Sequence, residues 1–256
     1  MPTAILIDGA FFIKRFRAIE PENAHNARRA AECAHRWACA HLTPKTRRPG
    51  GAQEAPADRQ RQRRDRRELY RIFFYDCPPL DKKMHNPISR KAVDFSKSEE
   101  AIFRLALHEH LRGMRKVALR LGHLSAYTQW AIKPAKVGEL LAGKIQMSDL
   151  RPEDVTVDIR QKGVDMRIGV DVSSLAFKKQ VDQIVLIAGD ADFVPAAKQA
   201  RREGIDFILD PMWQTIPANL NEHIDGLRST CPQTQKAGNR VGVLVPQFAD
   251  AAAKRV

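Results

Sequence analysis

Short unbroken apolar runs alternate along this chain with longer stretches of helical periodicity. Residues 3–7 (Thr-Ala-Ile-Leu-Ile), 69–75 (Leu-Tyr-Arg-Ile-Phe-Phe-Tyr), 184–187 and 205–209 read as strands buried on both faces. Residues 11–19, 26–42, 166–178 and 193–203 read as helices. Ile102, Phe103, Ala106, Leu107, Leu111, Met114, Val117, Ala118 and Leu121 predict one more, opened by the capping pattern Ser96-Lys97-Ser98-Glu99 and running to Gly122. Residues 125–132 and the alternating 155–159 predict further strands; 134–150 carries no clear pattern. Strands that alternate with helices and read as continuous apolar runs predict an α/β fold: a three-layer α/β/α sandwich, Rossmann-like, around a central, mainly parallel sheet.

One domain is expected over residues 1–229, interrupted at 43–67, where nine Lys or Arg face three acidic residues among Pro and Gly with hardly an apolar side chain. That segment cannot bury enough apolar surface to offset its ordering entropy, so it reads as a basic insertion, either a solvated linker or a tether for RNA phosphates. Residues 230–256 read as a tail in which 241–245 could add an edge strand.

In an open parallel sheet, sites form beyond the carboxyl ends of the strands. Asp8 follows the first strand, Asp165 follows the 155–159 region, and Asp190 and Asp192 follow 184–187. Each could be a helix N-cap alone. Together they would form a carboxylate cluster that repels itself unless a cation neutralises it, and all-oxygen ligation suits Mg²⁺ or Mn²⁺. Such a site can orient a water and stabilise charge on a phosphodiester, so Asp8, Asp165, Asp190 and Asp192 are the candidate catalytic and metal-ligating residues. Asp171, off the helical face of Asp165, is a secondary candidate. Asp76 ends another strand.

Charge adds a partner. With 43 Lys and Arg against 30 Asp and Glu, the formal charge of +13 points to a polyanion, nucleic acid first. Lys14, Arg15, Lys162 and Arg167 lie nearest the acidic motifs and could hold phosphates. Tyr75, Tyr127 and Trp130 could stack on bases, although their apolar neighbours favour core packing. No apolar run approaches the roughly 20 residues of a bilayer span and the amino terminus lacks a signal-peptide pattern, so no membrane association and a cytoplasmic location are expected. Cys33, Cys39, Cys77 and Cys231 show no Cys-x-x-Cys spacing and read as reduced thiols; Cys33-x-His35 and Cys39-x-His41 lie in a helix whose residues two apart face different ways, which disfavours zinc.

Ile5-Leu6-Ile7-Asp8-Gly9, Lys162-Gly163-Val164-Asp165 with Asp171, and Ile187-Ala188-Gly189-Asp190-Ala191-Asp192-Phe193, in that order, resemble the NYN domain, in its bacterial LabA-like branch of the PIN-like nucleases. The similarity covers about residues 3–227. It implies a PIN-like fold and metal-dependent ribonuclease activity, with Asp8, Asp165, Asp190 and Asp192 as metal-site residues and Lys162 and Asp171 as accompanying positions. The family often places Asn three residues after its first Asp, where this chain has Phe11. Two functions follow: hydrolysis of RNA with Mg²⁺ or Mn²⁺ and no small-molecule cofactor, or a catalytically inactive RNA-binding or regulatory module. A haloacid-dehalogenase-type phosphohydrolase is disfavoured, since it wants Asp-x-Asp after the first strand and Ala10 stands there. Homo-oligomerisation stays open.

Overall fold

A computed structural model describes residues 2–43 and 67–233. The basic insertion apart from its end residues, the tail beyond Gln233 and the edge strand suggested at 241–245 lie outside the described residues. The strands are β1 (Pro2–Asp8), β2 (Glu68–Asp76), β3 (Lys83–His85), β4 (Ala92–Asp94), β5 (Val117–Leu121), β6 (His123–Leu124), β7 (Gln129–Ile132), β8 (Val155–Asp158), β9 (Gln161–Lys162), β10 (Gln183–Ile187), β11 (Asp206–Asp210) and β12 (Gly226–Leu227). The α-helices are α1 (Gly9–Ile19), α2 (Ala27–Ala40), α3 (Glu99–Arg112), α4 (Pro134–Leu141), α5 (Val164–Phe177), α6 (Val194–Arg202) and α7 (Ala218–Asn221).

Six strands form one fully parallel sheet in the order β12-β11-β10-β1-β2-β5, which bears out the expected α/β/α sandwich. Alternation along each strand feeds two cores. Ile5, Ile7, Ile72 and Phe74 meet Phe12, Phe16, Trp37, Phe103 and Leu107 of α1, α2 and α3. Leu6, Phe73, Tyr75, Ile184 and Leu186 meet Val164, Ile168, Val172, Ala197 and Ala200 of α5 and α6 on the opposite face. Both faces of β1 and β10 are covered, which is why these strands read as continuous apolar runs.

Two expectations are corrected. The long helix to Gly122 stops at Arg112: Gly113 caps it, Lys116 turns the chain at φ 61°, and residues 117–121 become the edge strand β5. His110 and Arg112 in the last turn followed by Gly are a helix-stop signal that the apolar spacing masked. Its amino-terminal cap is Ser98, whose hydroxyl accepts from the Ala101 N–H at 3.2 Å, two residues past the Ser96 of the expected box. The region 155–159 yields β8, but β8 pairs antiparallel with β7 in a peripheral ribbon, as do β3 with β4 and β6 with β9. Val155 and Val157 alternate with polar residues because only one side of that ribbon is covered.

Close packing at the first strand–helix junction needs glycine. A Cβ on Gly9 would lie 2.5 Å from the Tyr75 carbonyl oxygen and 2.7 Å from the Phe74 ring. Gly9→Ala is therefore expected to cost about 1–3 kcal/mol through forced backbone movement. Urea denaturation of the two proteins checks this, and an unchanged midpoint would contradict it.

At the end of β11, Asp210 is buried and accepts from His41 Nε2 at 2.8 Å, the Met212 N–H at 2.8 Å and the Thr230 hydroxyl at 3.1 Å. This ties α2 and residues 228–231 to the sheet. It also commits His41 to a carboxylate, while the Cys33 thiol sits 3.4 Å from Glu20.

Candidate active site

The sheet reverses direction of growth at β1: β2 and β5 lie on one side, β10, β11 and β12 on the other. The helices that follow β1 and β10, α1 and α6, pack on opposite faces, so the carboxyl ends of these two neighbouring strands splay open. A cleft of about 470 Å³ lies there, lined by Asp8, Phe11, Gly189, Asp190 and the loop residues Gln214 and Thr215.

Asp8 ends β1 and caps α1, accepting the Phe11 N–H at 3.2 Å. Burial raises its pKa to about 6, with repulsion from Asp165 and Asp76 adding to the rise and the N–H bonds from Phe11 and Ala10 opposing it. Asp165 arrives by a different route from the one its sequence position suggests. No central strand precedes it; Gly163, at φ 77°, turns the chain and places Asp165 in the exposed first turn of α5. Burial and the charges of Asp190 and Asp192 push its pKa up. Asp190 follows β10 and accepts the Asp192 N–H at 3.2 Å, so the capping role is real, but both side chains stay exposed.

The four candidate carboxylates thus form an electrostatically coupled chain: Asp8 feels Asp165, which feels Asp190 and Asp192. None of them is ion-paired among the described residues, and no three of them stand at metal-holding distance. Unpaired, mutually repelling carboxylates at a strand-end crevice fit a hard dication by donor chemistry.

Other expectations resolve variously. Lys14, Lys162 and Arg167 are exposed. Arg15 is not available for phosphates: it is buried and both Nε and Nη2 donate to the Met212 carbonyl, at 3.1 and 3.0 Å. Tyr75 is buried as expected, its hydroxyl donating to Asp171 at 2.8 Å, and Trp130 packs on Phe95 with ring centroids 6.0 Å apart. Tyr127, expected in the core, is 89 % exposed, since it lies in the turn between β6 and β7 and covers nothing. Phe11 packs against Gly189, where a Cβ would stand 2.7 Å from its ring.

Beneath the cleft lies a group that strand-end reasoning only half identified. Asp76, fully buried at the end of β2, is held by Arg104 Nη1 and by His108 Nε2 at 2.8 Å; Arg104 also donates to Glu100 at 2.6 Å, and Glu100 takes Arg17. Glu100, Arg104 and His108 recur at four-residue spacing along one face of α3, and that spacing was the signal available in the sequence.

Residues 106–222 match the family model described as the NYN domain. An uncharacterised protein of Methanocaldococcus jannaschii is 22 % identical over 102 residues, which is 35 % of this chain and 42 % of that protein, so the chain covers less than half of that relative's length. No solved structure gives a significant match. The matched residues contain Asp165, Asp171, Asp190 and Asp192, whereas β1 with Asp8 precedes them and is joined to them through the sheet. Over residues 106–222 the chain is thus similar to the NYN domain.

Proposed function

We propose that this protein is an endoribonuclease of the LabA-like branch, acting on RNA in the cytoplasm with Mg²⁺ or Mn²⁺ held by Asp8, Asp165, Asp190 and Asp192. The observation that supports this reading is that Asp8 and Asp190 line the crevice between β1 and β10, while Asp165 is electrostatically coupled to Asp8, Asp190 and Asp192 and burial with repulsion raises the Asp8 pKa to about 6. A bound dication supplies the Lewis acid for the scissile phosphate and lowers the pKa of the attacking water. Asp8, fixed by accepting the Phe11 N–H, would supply one carboxylate to the ion. Asp165, Asp190 and Asp192 are exposed, so a backbone phosphate can reach them. Lys162 and Arg167, exposed beside Asp165, attract the strand.

Mn²⁺-dependent cleavage of single-stranded and structured RNAs by the full chain, abolished by EDTA, tests the reading. Asp165→Asn is expected to slow cleavage by at least about 10²-fold, the equivalent of the several kcal/mol a metal contributes. Because Asp165 is exposed, thermal unfolding should barely change. Cleavage by Asp165→Asn at the wild-type rate would end the proposal. The second reading, an RNA-binding module that no longer cuts, is favoured by Phe11: an apolar ring, packed on Gly189, stands in the cleft where a polar contact would serve the reaction. Salt-sensitive RNA binding that survives Asp8→Asn, with no metal uptake by calorimetry, would select it.

A further inference from the structure

A second constellation lies at the β2–β5 edge of the sheet and has no part in the proposed chemistry. Tyr75 is fully buried, and its hydroxyl donates to Asp171 Oδ2 at 2.8 Å; Arg120 Nε lies 3.3 Å from the same oxygen. The Arg120 guanidinium also rests over the Phe73 ring, 5.5 Å from its centroid. Burial and the Asp171 charge hold the Tyr75 phenol above its ordinary range, so it remains a donor.

An arginine near the end of an edge strand ordinarily sweeps a wide volume. Here a carboxylate that is itself fixed by a buried hydroxyl, together with an aromatic face, holds it in one place. Its side chain is nevertheless 46 % exposed, and its Nη groups have no hydrogen-bond partner among the described residues. Arg120 is in register with Tyr75, one residue before the end of β5, at the same end of the sheet as the carboxylates. Asp171 lies six residues along α5 from Asp165, about 9 Å by helical rise. Neutralising Asp171 alone would not require a half-exposed fork whose Nη donors are left without a partner among the described residues; such a fork matches a phosphate.

We propose that Arg120 is a substrate-contact residue that grips an RNA phosphate next to the scissile one, and that Tyr75 and Asp171 are positioning residues that hold it in place. The assignment rests on the nuclease reading and adds a residue to it. The experiment is fluorescence anisotropy of a labelled single-stranded oligoribonucleotide with the full chain in EDTA, across about 50–200 mM salt. Arg120→Gln is expected to weaken binding about 3- to 10-fold and to reduce the slope of log K against log salt by about 0.7, one phosphate contact on a single strand. Arg120→Lys should keep the slope while losing affinity, because a point charge replaces the fork. Tyr75→Phe should likewise keep the slope and weaken binding. The double variant Arg120→Gln/Asp171→Asn removes the carboxylate that the single change uncovers, and its slope should stay reduced. A purely structural Arg120 would lower the melting temperature and leave the salt slope at its wild-type value, which would overturn the assignment. Wild-type protein without salt-sensitive RNA binding would overturn the nuclease reading and the assignment together.

Discussion

Asp8→Asn is expected to give a protein that is more stable and does not cut RNA. In the folded chain Asp8 keeps its proton up to about pH 6, against 3.8 for the ordinary carboxyl, because burial and the neighbouring carboxylates Asp165 and Asp76 disfavour its charge. Between those two pH values folding takes up a proton. The stability that this acid contributes is therefore complete below 3.8 and lost as pH rises through about 6, so that ionised Asp8 burdens the fold at neutral pH. The bound is about 3 kcal/mol, reduced in practice by partial solvation at the cleft mouth. Asparagine carries no charge and remains a good N-cap that can accept the Phe11 N–H. Urea unfolding in EDTA should find Asp8→Asn more stable by about 1–3 kcal/mol at pH 8, with the difference closing near pH 4. Cleavage by the same variant should fall at least about 10²-fold. Equal stabilities at pH 8 and pH 4 would mean that Asp8 is not held as described. Loss of stability at pH 8 would mean that its charge has a partner.

A strand that is buried on both faces declares itself by composition, which is why residues 3–7, 69–75 and 184–187 could be placed, and with them Asp8, Asp190 and Asp192. The edge strand β5 could not be: its five residues are mostly half-buried, and Val117, Ala118 and Leu121 continue the period of α3. Nothing but the Gly113 stop separates the two. Asp165 rides on a helix whose start is set by a positive-φ glycine rather than on the strand end that its sequence position suggests. That same helix carries Met166, Val170 and Phe177 exposed at 72, 57 and 61 %, so its inner face was readable while its outer face breaks the amphipathic rule. The four-residue spacing of Arg104 and His108 marks a shared helix face but not its partner: the contacts of Arg120, Arg104 and His108 join elements far apart in sequence, and pairing of that kind follows from sheet order, which local periodicity does not encode.

Sheet order is also what makes Asp76 the residue on which the fold should depend most heavily among the charged groups. Asp76→Ala is expected to destabilise the protein by about 3–5 kcal/mol, the cost of breaking a buried ion pair from one side. Asp76 is 0 % exposed, and the His108 and Arg104 side chains are 2 % and 14 % exposed. Arg104 would keep Glu100, but His108 would lose the carboxylate that its Nε2 meets in the core between α3 and β2. Glu100→Ala supplies the contrast: its side chain is 42 % exposed, so its pairs with Arg17 and Arg104 should be worth no more than about 1 kcal/mol. Urea denaturation of the two variants measures both, and a loss below about 1 kcal/mol for Asp76→Ala would refute the buried network. The gentler Asp76→Asn keeps an acceptor for His108 and reaches the cleft by another path. The Asp76 charge adds to the rise in the Asp8 pKa. Its removal should therefore move to lower pH the acid limb of the stability difference between proteins with and without the Asp8→Asn change. A limb that stays in place would show that the two carboxylates do not sense each other across the junction of β1 and β2.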